Sequence, residues 1–504
     1  MRSFHMAAVA DPNLGIAYWG VALAAGGDLN IPIDDPCMRL AVEQSAKAYS
    51  LLNSASAADR LYITALTSRY ASRPTPGADA PVRDPQQLSV YYALAMKEVY
   101  EKLRSTDPDS STFYAFSLMS LRPWLWWTIW GRPSAEITAA IAALDFGLRL
   151  FPEHIGLNHA LIHASEEAPV ADAVKSKRSA DLLFHKAPYI TPHLNHMPSH
   201  TYLLLGDWDG VVKTNLKAVT ADQPWAKACA SAPFAPTCNE LLVGHYYSHD
   251  MLFLDVGYNN QGLWEQVLPL ASQLEANTLT YIGTQPGLEH YLTTKVMMMV
   301  HFGKWQMLAN LPPPQPDMPS PTDPNFCSHL HLKLASAIWY FGQAMSHASL
   351  GQPTDSDVAR FQLAQGCVQG VGLGWGNNTA TDILNVVHWR MLERIAGTKG
   401  LKDAATQFAL LGVESEDLLN YDEPPGWYIS ARETYGAALY LQGNYTAADG
   451  AFREDLKLHP NNSRSLYGLW QTLKITSPGA PATAAEKAFR EQWKSPILPD
   501  LKDM

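Results

Sequence analysis

The segment ARETYGAALYLQGNYTAADGAFREDLKLHPNN, residues 431–462, constrains the fold more than any other stretch of the chain. Apolar residues recur in it at three- and four-residue spacing, the period of a helix with one buried face. Gly443 interrupts that period and Pro460 ends it. The small residues Gly436 and Ala448 fall where two helices packed side by side must touch. The segment therefore reads as two helices joined by a tight turn, and such a pair cannot bury its apolar surface alone.

The offsets recur elsewhere. In TYLLLGDWDGVVKTNLKAV, the residues Tyr202, Gly206, Trp208 and Asn215 keep the spacing of Leu439, Gly443, Tyr445 and Phe452. HFGKW repeats the Gly-to-Trp step at Gly303 and Trp305. The pattern is that of tetratricopeptide (TPR) units. It predicts an all-α chain, a right-handed α-solenoid of TPR-like helical pairs. Long alternating β-branched runs are missing, as that class requires.

The chain has 504 residues, too many for one ordinary core, which stops growing near ~250–300 residues. Two Pro-rich stretches, about 71–87 and 311–326, read as loops. The second could separate an N-terminal array at 1–310, with a His-rich concave groove, from a C-terminal array at 327–504; the Pro-rich loop at 311–326 is read as a surface insertion, because helical pairs continue on both sides. Hydrophobic content of 47% and 15 Trp exclude a disordered chain. A net charge of -11 argues against a nucleic-acid groove or docking on an anionic membrane. No apolar run is long enough to span a bilayer, which needs ~18 residues. MRSFHMAAVADP lacks the apolar core of a signal peptide, so the expected compartment is cytoplasmic. The five cysteines form no C-x-x-C; Cys229 and Cys238 are spaced to close a short disulfide or to stand as separate thiols.

Nine of the 17 His fall between residues 154 and 249. Six form three H-x-x-x-H pairs: His159/His163, His196/His200 and His245/His249. Random scatter would give about 0.6 such pairs. Residues four apart share a helix face, so two imidazoles at that spacing can converge on one ion. Each pair maps onto the first helix of a predicted helical pair, about 155–168, 193–205 and 237–255. First helices line the inner groove of such arrays, and neighbours pack ~8–10 Å apart, within bridging reach of imidazoles. The expected metal ligands are His159, His163, His196, His200 and His249, with His245 turned away by a bend at Gly244. Glu166, three residues after His163, is expected as a further ligand or as the general base of catalysis. His193 is expected as a ligand or supporting partner. Pro198 is expected to place His196 at the start of its helix, where the dipole keeps the ring neutral.

Imidazole-dominated sites suit copper, iron and zinc; the ratio of His to carboxylate favours copper or iron. The ligand surplus fits either two ions or one ion with spare histidines around it. H-E-x-x-H, G-x-S-x-G, Walker and Rossmann signatures are missing from the sequence. Tyr202, Tyr246 and Tyr247 are candidates for a substrate wall, or for ordinary packing.

The stretches NHALIHASEEAP, HLNHMPSHTYLLLGDWD and YDEPPGWYISARETYGAAL resemble a family of large TPR proteins of bacteria and fungi. The resemblance runs over nearly the whole chain. It implies the repeat fold and points to His159, His163, Glu166, His196, His200 and the His249–Asp250 pair. Members of that family begin with a further helix, which implies a shortened start here.

These readings lead to a metal-dependent enzyme, an oxidoreductase acting on a small molecule in the groove. The alternatives are a non-catalytic scaffold that binds a protein or peptide, and a metal store. A carboxylate-clamping scaffold needs Lys, Arg or Asn along the groove, and here only Asn158 and Asn195 are amides near the histidines.

Overall fold

In a computed structural model, residues 1–27, 29, 35–70, 85–231 and 242–504 are described. Among the described residues the chain is helical apart from a two-stranded hairpin, Gly374–Trp375 with Asn378–Thr379. It divides into two compact units, Met1–Lys186 and Ala187–Met504. The Pro-rich segment thus lies inside the second unit rather than between the two.

The first unit is built from successive helices, among them Gly15–Ala25, Ala57–Tyr70, Pro108–Met119, Ala135–Leu150 and Ile155–Glu166. Its core is aromatic where Trp19, Tyr62 and Phe113 meet at ring centroid separations of 5.5–6.0 Å. The helix starts are written in the sequence. Asp107 caps Pro108–Met119 by accepting from the Asp109 amide, and Pro108 occupies the first turn, where its missing N–H costs nothing. Ser134 caps Ala135–Leu150 in the same way through the Ile137 amide.

In the second unit, the helices from Ala380 to Gln492 pack chiefly on the next in sequence. The segment at 431–462 folds as read: helix Ala431–Gln442, Gly443 in the left-handed region (φ 98), then helix Tyr445–Leu458. A Cβ at Gly436 would stand 2.6 Å from the Phe452 ring, so the glycine is what lets the helices meet. The unit beginning at Thr201 also holds, with helix Pro198–Leu205, Gly206 at φ 66 and helix Trp208–Ser231. The HFGKW echo is cut short. Gly303 turns the chain at φ 60, but the following helix is only Trp305–Ala309 before Pro312.

Residues 311–325 are irregular, and Phe326 opens a short helix. Buried Gln315 organises this segment: its Oε1 accepts from the His331 and Leu332 amides, and its Nε2 donates to the carbonyls of Asp317 and His329. Cys327 and Cys367 form a disulfide that the spacing did not predict. The alternative pairing involving Cys238 lies outside the described residues, as does most of the 71–87 loop; helix Pro85–Leu103 begins at its end. Among the described residues no helix is long and apolar enough to cross a membrane.

Candidate metal centre

His196, His200 and His249 bring ligand nitrogens within 4.8 Å of one another in the second unit. The backbone that does so differs from expectation in one respect. His196 does not open its helix. It ends the short helix Pro192–His196, and Pro198 begins the next, Pro198–Leu205. Each proline lacks an amide hydrogen and so sits in a first turn. Met197 between them keeps helical angles (φ -47, ψ -39), so His196 and His200 still share a face. The neutral state of His196 therefore does not come from a helix N-terminus. Burial lowers its pKa well below the ordinary value, and the neighbouring His200 and His249 reinforce this.

His249 lies in helix Tyr247–Asn260, preceded by a π-helical turn at Leu242–Tyr246. Burial and then the surrounding imidazoles hold His249 neutral as well. His245 sits on the π turn with its ring centroid 6.3 Å from that of His249, and it is not part of the three-nitrogen group. Phe253, one turn beyond His249, lies beneath all three rings at centroid distances of 4.8, 4.8 and 5.0 Å. It is 1% exposed and gives the group an apolar floor.

Hydrogen bonding fixes the tautomer of His196. Asn215 Nδ2 donates to the Val211 carbonyl, so its Oδ1 faces His196 Nδ1 at 2.7 Å and must accept a proton from it. Nε2 of His196 is then unprotonated. Asp250 Oδ1 is a second neighbour of the same Nδ1, at 3.1 Å. Burial, and behind it the hydrogen-bonded Asp222, raises the Asp250 carboxyl well above the usual range; burial also pushes Asp222 up to about 7.

On His200, Glu423 Oε2 lies 3.0 Å from Nδ1, close enough for the carboxylate to act on the ring's charge. The two Nε2 atoms of His196 and His200 face each other at 2.7 Å. The His196 lone pair at that distance calls for a proton on His200 Nε2 or for a cation between or just beside the two nitrogens.

Glu423 was not singled out from the sequence, and neither was Asn215. The loop carrying Glu423 is tied to the hairpin: Asn378 Oδ1 accepts from the Asn420 amide at 2.7 Å, while Asn378 Nδ2 and Asn377 Nδ2 donate to the carbonyls of Asn420 and Tyr421. Tyr421 OH donates to Glu423 Oε1 and steadies the carboxylate from the other side.

The remaining candidates are placed as follows. His193 stacks near His196 at 6.4 Å, and Tyr246 meets His193 edge-on at 5.5 Å. Tyr202 packs against Gly210, and Tyr247 OH accepts from Gln273. Asn158 and Asn195 use their amide nitrogens on local carbonyls. In the first unit, His159 and His163 project from helix Ile155–Glu166, with ring centroids 4.8 Å apart. Glu166 Oε1 lies 2.8 Å from His163 Nδ1.

No protein-family model matches the chain, and a search of curated proteins gave no significant match.

Proposed function

We propose that this protein is a transition-metal-dependent enzyme, an oxidoreductase, whose ion is held by His196, His200 and His249. The observation that carries the reading is the 2.7 Å approach of two Nε2 atoms, with His196 held at Nδ1 by Asn215 and the Glu423 carboxylate 3.0 Å from Nδ1 of His200. Metal-ligating imidazoles have this arrangement, with the outer nitrogen bonded to an amide or carboxylate. A shared proton would serve one pair of nitrogens, but a third ring converging on the same point suits an ion better.

A three-nitrogen donor set without thiolate fits copper, iron or zinc. We favour copper or iron, because an all-imidazole environment is common for dioxygen chemistry and unnecessary for water activation. The bound ion would supply redox or Lewis-acid chemistry at its open positions. The protein's own part is to fix the tautomer of His196 through Asn215, to set the Glu423 carboxylate beside His200 and to keep water from beneath the rings with Phe253. The substrate is taken to be a small molecule approaching from the side not filled by Phe253.

The scaffold proposed for this centre is a TPR solenoid of the kind the sequence resembles. Its support is the pair of left-handed glycine turns at Gly206 and Gly443, each between two helices. A peptide-binding scaffold is disfavoured because Asn158 and Asn195 spend their amides on their own backbone.

Elemental analysis of purified protein tests the metal. Wild type is expected to hold more of a first-row transition metal than His196→Ala or His200→Ala. Equal content in all three would end the proposal. Oxygen consumption with a panel of amino-acid and phenolic substrates then separates an enzyme from a metal store.

A further inference from the structure

We infer that the first unit carries ligands for a second transition-metal ion, with His159 and His163 as imidazole donors and Glu166 as the residue that positions His163. The inference builds on reading the first centre as a metal site, but its geometry comes from different residues.

The arrangement repeats the one in the second unit. His159 and His163 are four apart on one helix, as His196 and His200 are four apart across theirs. Their ring centroids are 4.8 Å apart, against 4.6 Å for the other pair. In each pair the later histidine has a carboxylate beside Nδ1: Glu166 at 2.8 Å from His163, Glu423 at 3.0 Å from His200. A carboxylate at Nδ1 places the proton there and leaves Nε2 as the ligand atom, with raised basicity.

Burial sharpens the argument. The side chains of His163 and Glu166 are 4% and 0% exposed. A carboxylate taken that far from water is held by the groups it faces, and His163 is one of them. The rings of Phe116 and Trp124 pack against His163 at 6.1 and 6.3 Å. A cation on Nε2 neutralises Glu166 through the ring and uses His159 as a second donor. Copper, cobalt, iron and zinc all accept such donors. Two imidazoles leave coordination positions for other groups, so this ion is expected to exchange more readily than the first. The surplus of histidines over one coordination sphere is then explained by two ions.

The test is a titration of metal-stripped protein with Co²⁺, followed by visible absorption, with bound metal counted after gel filtration. Wild type is expected to take up two ions per chain and His159→Ala/His163→Ala one. A wild type that binds one ion, with that ion retained in the double variant, overturns the second site and leaves the first standing. A wild type that binds none overturns both. Should the double variant fail to fold, as judged by its circular dichroism, Glu166→Ala decides the matter. It is expected to weaken one of two binding phases about 10–100-fold, and two unchanged phases would overturn the role given to Glu166.

Discussion

Glu423 Oε2 lies 3.0 Å from Nδ1 of His200, reached from a loop rather than from a neighbouring turn of helix. The loop is held by side-chain amides of the hairpin, so residues 377, 378 and 420 help to place the carboxylate that faces His200. Asn215 does the same for His196 from helix Trp208–Ser231.

Glu423→Ala is therefore expected to weaken metal binding about 10–100-fold, the usual effect of losing a partner behind a ligating histidine. Competition against a chromophoric chelator measures it. Glu423→Gln, which keeps an acceptor but not the charge, is expected to fall between. An affinity unchanged in Glu423→Ala would mean that the carboxylate does not act through His200.

The histidine pairs were legible because helix periodicity alone puts residues four apart on one face. Their partners were not. Asn215 and Glu423 reach the rings through tertiary contacts, and no spacing in the sequence announces these. Pro198 was read correctly as a helix start but on the wrong side of His196, since Pro192 opens a separate short helix whose last residue is that histidine. The glycine turns were legible at Gly206 and Gly443 because only glycine takes a left-handed turn without strain. The pairing of Cys327 with Cys367 joins two elements whose proximity comes from packing alone.

Metal loading is expected to stabilise the wild type by mass action, since a three-imidazole site exists only in the folded chain. At a free metal concentration 100 times Kd the gain is about 2.7 kcal/mol, seen as a rise in Tm that a chelator reverses. His196→Ala/His200→Ala is expected to lose the part of this gain that belongs to His196, His200 and His249. The same metal response in wild type and double variant would count against that centre.

Gly206 and Gly443 permit a controlled comparison. Both have positive φ, but a Cβ at Gly206 would stand 1.9 Å from the Pro460 carbonyl oxygen, while at Gly443 nothing lies within 4 Å. Gly443→Ala is expected to cost about 1–2 kcal/mol, from backbone strain alone. Gly206→Ala adds a collision with backbone, worth about 1–3 kcal/mol more. It would also disturb the bond from Trp208 Nε1 to the Asn461 carbonyl. Urea midpoints measure both, and equal costs would show that the contact between Gly206 and Pro460 is loose.

Reduction of the Cys327–Cys367 bond opens a loop with a sequence separation of 40. Loop-closure entropy puts the loss at about 4 kcal/mol. Cys327→Ser/Cys367→Ser is expected to unfold at a lower denaturant concentration and to be insensitive to reductant, whereas wild type is sensitive. Wild-type stability indifferent to reductant would show that the bridge contributes nothing.

Acid stability turns on Glu433, which is 1% exposed. Burial alone would raise its pKa, but His301 Nε2 at 2.9 Å and Arg464 Nε at 3.1 Å outweigh it and hold the carboxyl at about 2, below its ordinary 4.5. His301 itself is kept low by burial and then by Arg464, so Arg464 is the standing charge at neutral pH. A folded-state pKa below the unfolded one means that the folded chain binds fewer protons between the two values. The stabilisation is thus fully present above about pH 4.5 and is lost as pH falls toward about 2, in all on the order of 3 kcal/mol. Glu433→Gln is expected to lower stability at neutral pH and to flatten its dependence between pH 4.5 and 2. Denaturant midpoints across that range give the slope for each protein. Parallel slopes would place the acid-sensitive group elsewhere in the second unit.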